Sequence, residues 1–179
     1  MTANDLDSNL NGQISYSIIN GDRQNQFRID KDNGYLIVNA PLDREMISSY
    51  VLEIQATDHG IPELSSSVLV NLEISDFNDN PPLFSQDNYT AVVQEDKPPG
   101  FVILKFHVTD ADAGFNTSPF TFDFRAGNEG LMFKLAQDGS LQTAKKFNHR
   151  MKDNYLLHIR VFDNGTPPMF SDTFVAVKV

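Results

Sequence analysis

The chain has 179 residues, of which 40% are apolar and 14 are Phe, so it can form a packed core and does not have the composition of a disordered protein. Its 14 Lys and Arg against 24 Asp and Glu give a net charge of −10, which argues against nucleic acid or anionic membrane as partners and favours cations. The absence of Cys excludes disulfides and Cys-based zinc sites, and no run approaches the roughly 20 apolar residues of a membrane span.

Alternating apolar residues predict β-strands in both halves of the chain. Turn signals such as Asn33-Gly34, Asp138-Gly139 and Asn164-Gly165 separate these runs, and no long stretch has a helical period. The predicted buried faces are Leu52, Ile54 and Ala56; Val68, Val70, Leu72 and Ile74; Leu157, Ile159 and Val161; and Thr173, Val175, Val177 and Val179.

The two halves are copies of one module. "YVLEIQATDHGIP" (50–62) aligns with "YLLHIRVFDNGTP" (155–167) at an offset of 105 residues, which also carries Asp5 to Asp110, Asp7 to Asp112 and Asp58 to Asp163. We predict an all-β protein of two tandem Greek-key β-sandwiches, over residues 1–79 and 80–179. The first copy has no counterpart of 83–105, so we expect it to lack its first strand or strands.

Acidic residues cluster at predicted strand ends. "SDFNDNPPLF" (75–84) alone is typical of a polar turn, but similar clusters recur at Asp5/Asp7, 43–45, 94–96 and Asp110/Asp112. Hard cations such as Ca²⁺ take about six to eight oxygen ligands, whereas softer metals prefer sulfur or imidazole, and none of the four His residues has ligand spacing. An EF-hand loop is excluded because Pro81 occupies the position that requires Gly.

The same carboxylates could in principle serve a hydrolase. However, the pairs recur in both copies, and the sequence contains neither a nucleophile motif nor a Gly-rich phosphate loop. We therefore predict that the chain is not an enzyme. A soluble calcium-dependent carbohydrate-binding protein or hydrolase remains the alternative.

Five motifs in order, "LDRE" (42–45), "ATDHG" (56–60), "DFNDNPP" (76–82), "VQED" (93–96) and "DADAGFN" (110–116), resemble the calcium signature of cadherin extracellular repeats. The resemblance implies seven-stranded Greek-key repeats with three Ca²⁺ ions between consecutive repeats. The ligands it implies are Asp43 and Glu45 upstream; Asp76, the Phe77 carbonyl, Asn78, Asp79 and the Asn80 carbonyl in the connection; and Asp110, Asp112, the Asn116 carbonyl and Asp163 downstream.

The sequence also departs from the family pattern. The upstream Glu that the family uses would fall before residue 1, and the second copy has Asn148-His149-Arg150 where the first has Asp43-Arg44-Glu45. We expect the junction after the second copy to be partly or wholly calcium-free. Asp5, Asp7 and Asp58 match ligands of a preceding junction, and we expect them to be solvated acids here.

The resemblance implies calcium-dependent cell adhesion by interior repeats whose junction is stiffened by bound ions. The amino-acid sequences of the motifs are similar to those of Fat- and protocadherin-like members. Implied partners are other cadherin ectodomains, homophilic or heterophilic, with neither nucleic acid nor a small-molecule substrate. No N-terminal Trp is present for strand-swapped adhesion.

Location is open from the residues alone. No signal peptide opens the chain, so we expect either a cytosolic protein or part of something larger. Asn88, Asn116 and Asn164 each begin an Asn-x-Ser/Thr sequon, which favours an extracellular origin. The resemblance implies the extracellular part of a membrane-anchored glycoprotein at the cell surface.

Overall fold

The computed structural model describes residues 1–7, 12–148, 150 and 152–179, so His149 lies outside the described residues. The chain divides into two compact units, Met1–Ser75 and Asp76–Val179. The predicted domain boundary between residues 79 and 80 stays a prediction. Within the described ranges, no helix is long and apolar enough to cross a membrane.

The first unit is built from antiparallel strands. β1, β4 and β5 form one sheet in that order with β4 in the centre, and β2 pairs with β3. Its core contains Tyr50, Leu52 and Ile54 from β4 and Phe27 from β2, with the Tyr50 ring packed edge-on to Phe27 at 4.9 Å between centroids. The strands are β1 (Ser15–Asn20), β2 (Phe27–Ile29), β3 (Leu36–Val38), β4 (Ser49–Thr57) and β5 (Ser65–Glu73).

The second unit has two larger sheets. One has the strand order β10-β13-β14-β7 and the other β11-β12-β8, while two short strands, β6 and β9, pair separately. The strands are β6 (Leu83–Phe84), β7 (Asn88–Val92), β8 (Val102–Lys105), β9 (Val108–Thr109), β10 (Thr121–Ala126), β11 (Phe133–Leu135), β12 (Ser140–Thr143), β13 (Asn154–Phe162) and β14 (Phe170–Lys178). A short 3₁₀ helix spans Gly114–Asn116.

The two larger sheets of the second unit pack face to face. Leu157 and Ile159 of β13 and Val175 of β14 are fully buried, and they share a core with Phe133 and Leu141 of the other sheet. Alternate residues of β13 and β14 are buried because successive side chains of a strand point to opposite faces. The prediction of tandem all-β sandwich modules is confirmed.

The prediction for β5 is only partly correct. Val70 and Leu72 are half-buried, but Val68 is 55% exposed, whereas its counterpart Thr173 in β14 is 1% exposed. β14 pairs with β13 on one side and with β7, in parallel, on the other. Among the described residues β5 pairs with β4 alone. The assignment of Val68 to a buried face was wrong, whereas its counterpart Thr173 is covered by the segment before β7, where the Asp87 carbonyl accepts from the Thr173 hydroxyl at 3.0 Å.

Candidate metal-binding cluster

Asp163 is fixed in the turn that follows β13. Its Oδ1 atom accepts hydrogen bonds from the backbone N–H groups of Gly165 and Met169, each at 3.0 Å. The carboxyl group is buried, with 4% of the residue exposed. The turn therefore holds a buried carboxylate at one end of the second unit.

The same turn occurs in the first unit at Asp58. There Oδ1 accepts from the N–H groups of Gly60 at 3.1 Å and Leu64 at 2.8 Å, so the offset of 105 residues is reproduced bond for bond. Asp58 is 5% exposed. The expectation that it is a solvated acid was wrong, because the backbone of its own turn supplies the partners that water would otherwise supply.

Asp110 and Asp112 form a second paired feature. The Asp112 N–H donates to Asp110 Oδ1 at 3.0 Å, and in the first unit the Asp7 N–H donates to Asp5 Oδ1 at 2.8 Å. Asp5 and Asp7 are exposed, as expected. Asp112 is buried, so the two copies share a local turn but differ in burial.

The connecting segment, residues 76–80, reaches Asp112 through Asn80. The Asn80 side chain donates from Nδ2 to Asp112 Oδ1 at 2.8 Å, and its backbone N–H donates to Oδ2 at 3.3 Å. Nδ2 also donates to Asp79 Oδ1 at 2.8 Å. The Asp79 N–H in turn donates to the carbonyl of Phe77 at 2.9 Å. The connection is thus folded onto the Asp110–Asp112 turn.

Asp76 contacts the loop that carries the 3₁₀ helix. Its Oδ2 atom accepts from the Ala113 N–H at 3.1 Å and from Asn116 Nδ2 at 2.8 Å. Asp76 and Asn116 lie 40 residues apart in sequence. The structure therefore brings together these two residues, both predicted as ligand positions.

Asn78 lies against the Asp163 turn. It is 7% exposed, and its Nδ2 atom donates to the carbonyl of Pro167 at 2.8 Å. A Cβ atom added to Gly165 would lie 2.1 Å from Asn78 Cγ, so the missing side chain of Gly165 makes room for Asn78. Sequence reasoning missed this role of Gly165, although its alignment with Gly60 marked the position.

The cluster is rich in oxygen atoms and has excess negative charge. Asn78 Oδ1 and Asp110 Oδ2 are buried and find no hydrogen-bond partner among the described residues. Burial raises the pKa of the Asp110 carboxyl, and the nearby carboxylates of Asp112 and Asp163 raise it further. In the described part of the chain no Lys or Arg forms an ion pair with these three acids.

A bound hard cation would satisfy these atoms. Buried polar atoms without partners and buried charges without counter-charges each cost free energy. Carboxylate, amide and carbonyl oxygens are the ligands that Ca²⁺ prefers. The oxygen atoms of the second unit are therefore chemically suited to bind such an ion.

The two upstream residues belong to the first unit. Asp43 Oδ1 accepts from the Met46 N–H at 2.9 Å, and Glu45 forms an ion pair with Arg44 at 2.5 Å. Their joint action with the connecting segment stays a prediction, as does the ligand role of each carbonyl of Phe77, Asn80 and Asn116.

Two tandem all-β sandwiches with acidic turns at their ends define a class of modular repeat protein. The cadherin domain family matches residues 1–75 and 89–179, and the chain belongs to this family. It is 53% identical over 177 residues to the Fat-like cadherin-related tumor suppressor homolog of Drosophila melanogaster. It is 42% identical over 177 residues to protocadherin Fat 1 of Homo sapiens. Each alignment covers 99% of this chain and 4% of the relative.

Solved structures of cadherin ectodomains share the fold of this chain. Mouse cadherin-23 EC22-24 matches with a TM-score of 0.87 and 28% identity, covering 99% of this chain and 57% of that one. The protocadherin gammaB4 extracellular domain matches with a TM-score of 0.86 and 28% identity, covering 99% and 30%. The chain consists of cadherin repeats of the Fat and protocadherin type.

Proposed function

We propose that this pair of repeats binds Ca²⁺ and serves in calcium-dependent cell adhesion. The observation that carries the proposal is the pair of buried oxygens, Asn78 Oδ1 and Asp110 Oδ2, without hydrogen-bond partners among the described residues. They lie in a cluster whose other buried acids, Asp112 and Asp163, also have no ion-pair partner in that part of the chain.

The proposed ligands come from three parts of the chain. Asp43 and Glu45 of the first unit would supply carboxylates, and the second unit, which includes the connecting segment, would supply the remainder. The full proposed set is Asp43, Glu45, Asp76, the Phe77 carbonyl, Asn78, Asp79, the Asn80 carbonyl, Asp110, Asp112, the Asn116 carbonyl and Asp163. These residues would hold Ca²⁺ through their oxygens, and the ion would supply the positive charge that this acidic set lacks.

The mechanism is mechanical. The acids of the proposed ligand set repel one another, and a bound cation would offset this repulsion. Residues 76–80 hold the connecting ligands, while the Asp163 and Asp110–Asp112 turns hold the downstream ligands in fixed positions. The proposed result is a stiffened junction that transmits force along the chain.

We also propose a cellular location for these repeats. The matched gammaB4 structure is described as an extracellular domain, and the matched relatives carry cadherin names rather than enzyme names. We place these repeats outside the cell, in a membrane-anchored parent protein whose partners are other cadherin ectodomains. The chain spans about 4% of the curated relatives it matches, so this assignment concerns a small part of a long protein.

Calorimetric titration of the chelator-treated chain with Ca²⁺ tests the proposal. We expect measurable binding and a raised melting temperature, since a ligand at about 100 times its Kd stabilises the folded state by about 2.7 kcal/mol. A stiffened junction samples fewer conformations, so small-angle scattering should show a narrower range of overall dimensions in calcium than in chelator.

A variant and its control make the test specific. Asp163→Asn keeps an oxygen for the turn hydrogen bonds but removes a charge, and it is expected to weaken Ca²⁺ binding. Asp123→Asn removes the same charge from an exposed position on β10 and should leave binding unchanged. Absence of heat and an unchanged melting temperature in the wild-type chain would refute the proposal.

A further inference from the structure

Asn88 begins β7 and opens the sequon Asn88-Tyr89-Thr90. Strand alternation buries Tyr89, which is 9% exposed, and leaves Asn88 and Thr90 exposed on the opposite face. No described residue accepts a hydrogen bond from the Asn88 side chain. Both side chains that define the sequon are therefore presented on the outer face of the sheet.

The surface beside Asn88 is apolar. β7 pairs in parallel with β14, with Asn88 opposite Phe174 and Thr90 opposite Ala176. Phe174 is 42% exposed, and Val92 is 77% exposed on the same face of β7. A hydrophilic group attached at Asn88 would stand at the border of this apolar surface and cover part of it.

The Asn116 sequon is in a different environment. The Asn116 Nδ2 atom donates to Asp76 Oδ2 at 2.8 Å, and this is the atom to which a sugar would be joined. Asn116 is half-buried in the candidate metal-binding cluster. A glycan there would place a bulky group among the proposed calcium ligands.

The Asn164 sequon is exposed but constrained by its neighbours. Gly165 is held against Asn78, and the backbone N–H of Asn164 donates to the Thr117 carbonyl at 3.0 Å. Thr166 precedes Pro167, which restricts its backbone. The segment thus also belongs to the cluster, unlike the strand that carries Asn88.

We propose that Asn88, rather than Asn116 or Asn164, carries an N-linked glycan that covers part of the outer face of β7 and β14. This inference rests on the proposed extracellular location. The co-reactant is a lipid-pyrophosphate-linked oligosaccharide. A bond forms between Asn88 Nδ2 and the anomeric carbon of the sugar, and the bond from that carbon to the pyrophosphate oxygen breaks. The lipid pyrophosphate leaves with the electron pair, and one amide proton passes to a base.

The test uses the full chain joined to a secretion signal and produced in animal cells. Chain from cells and medium is treated with an amidase that removes N-linked glycans and converts the attached Asn to Asp, and its peptides are analysed by mass spectrometry. We expect conversion at Asn88 and unmodified Asn116 and Asn164. Unmodified Asn88, or conversion of Asn116 or Asn164, would overturn the inference.

Variants locate the glycan without depending on one substitution. Asn88→Gln and Thr90→Ala should each abolish the mobility shift caused by the glycan, because each destroys the sequon. Both residues lie on the exposed face of β7, so both changes leave its buried face intact. The matched change Asn164→Gln should leave the shift intact. Calcium binding by unglycosylated chain from bacteria is measured separately, so loss of this inference and loss of the proposed function give different results.

Discussion

Gly165 and Asn78 fit together so closely that no side chain can be added between them. A Cβ atom at Gly165 would lie 2.1 Å from Asn78 Cγ and 2.2 Å from Oδ1. The contact joins the connecting segment to the turn that holds Asp163. Gly165 is thus required for space near a proposed ligand, and the position of Asn78 depends on it.

Gly165→Ala is expected to destabilise the second unit and weaken calcium binding. The added methyl group must displace the buried Asn78 side chain and its hydrogen bond to Pro167, and overpacking of this kind typically costs about 1–3 kcal/mol. Urea unfolding and calorimetric titration measure the two effects. Gly130→Ala is the control, since a Cβ there meets only Met132 Cγ at 3.5 Å. Equal stability of the two variants would contradict this account.

The repeat offset marked Asp58 and Asp163 as equivalent positions, and similar local sequences form similar local turns. The Asp58 and Asp163 turns have the same donors at corresponding positions. The period-2 patterns predicted Leu157, Ile159 and Val175 in the core because alternate residues of a strand lie on the same face. These features depend on a few neighbouring residues and on strand alternation.

Features that depend on contacts between distant segments could not be predicted. The burial of Val68 depends on whether another segment of the chain covers its face of the sheet, which the alternating pattern of β5 does not reveal. Similarly, Arg160 makes two 2.8 Å hydrogen bonds to Asp172 and lies 3.6 Å from the ring centre of Phe170 across the β13–β14 pair. Strand register determines such contacts, and composition and motif spacing do not specify that register.

Asp138 should make stability depend on pH in the acid range. Hydrogen bonds from the Ser140 hydroxyl and, next, from Lys105 lower the pKa of Asp138 to about 2. Because this pKa is below the ordinary value of 3.8, the ionised carboxylate stabilises the folded state at pH values above 3.8. The contribution is lost as pH falls through about 2.

Asp138→Asn is therefore expected to lower the urea midpoint at pH 5 and above. The difference from wild type should shrink steadily as the pH approaches about 2. Asp123→Asn, on β10, is the control for loss of one surface charge. A difference that stays constant across this range would show that the Asp138 interactions do not depend on its ionisation.

The second unit is expected to be the more stable of the two in this chain. β14 is hydrogen-bonded on both sides, whereas β5 is bonded on one side among the described residues and exposes Val68 and Leu69. Native-state hydrogen exchange should show greater protection in β13 and β14 than in β4 and β5. Better protection of β5 than of β14 would contradict this expectation.

The order in which calcium sites fill should follow the preorganisation of their ligands. Asn78, Asp110 and Asp163 are held by turns and contacts within the second unit, whereas Glu45 is already paired with Arg44 at 2.5 Å. A cation at an upstream position must compete with that guanidinium, and affinity in oxygen sites follows the number of ligand charges. We therefore expect one tighter site that uses the downstream residues and weaker sites that use Asp43 and Glu45.

Calorimetric titration of single variants distinguishes these sites. Asp110→Ala or Asp163→Ala should remove the tighter site, and Glu45→Ala should largely retain it, because Glu45 belongs to the first unit and the downstream ligands do not require it. Asp123→Ala provides a charge-matched control on an exposed strand position. Three sites of equal affinity would show that preorganisation does not rank them. A tighter site that is lost with Glu45 but survives Asp163→Ala would reverse the assignment and place the stronger ligands in the first unit.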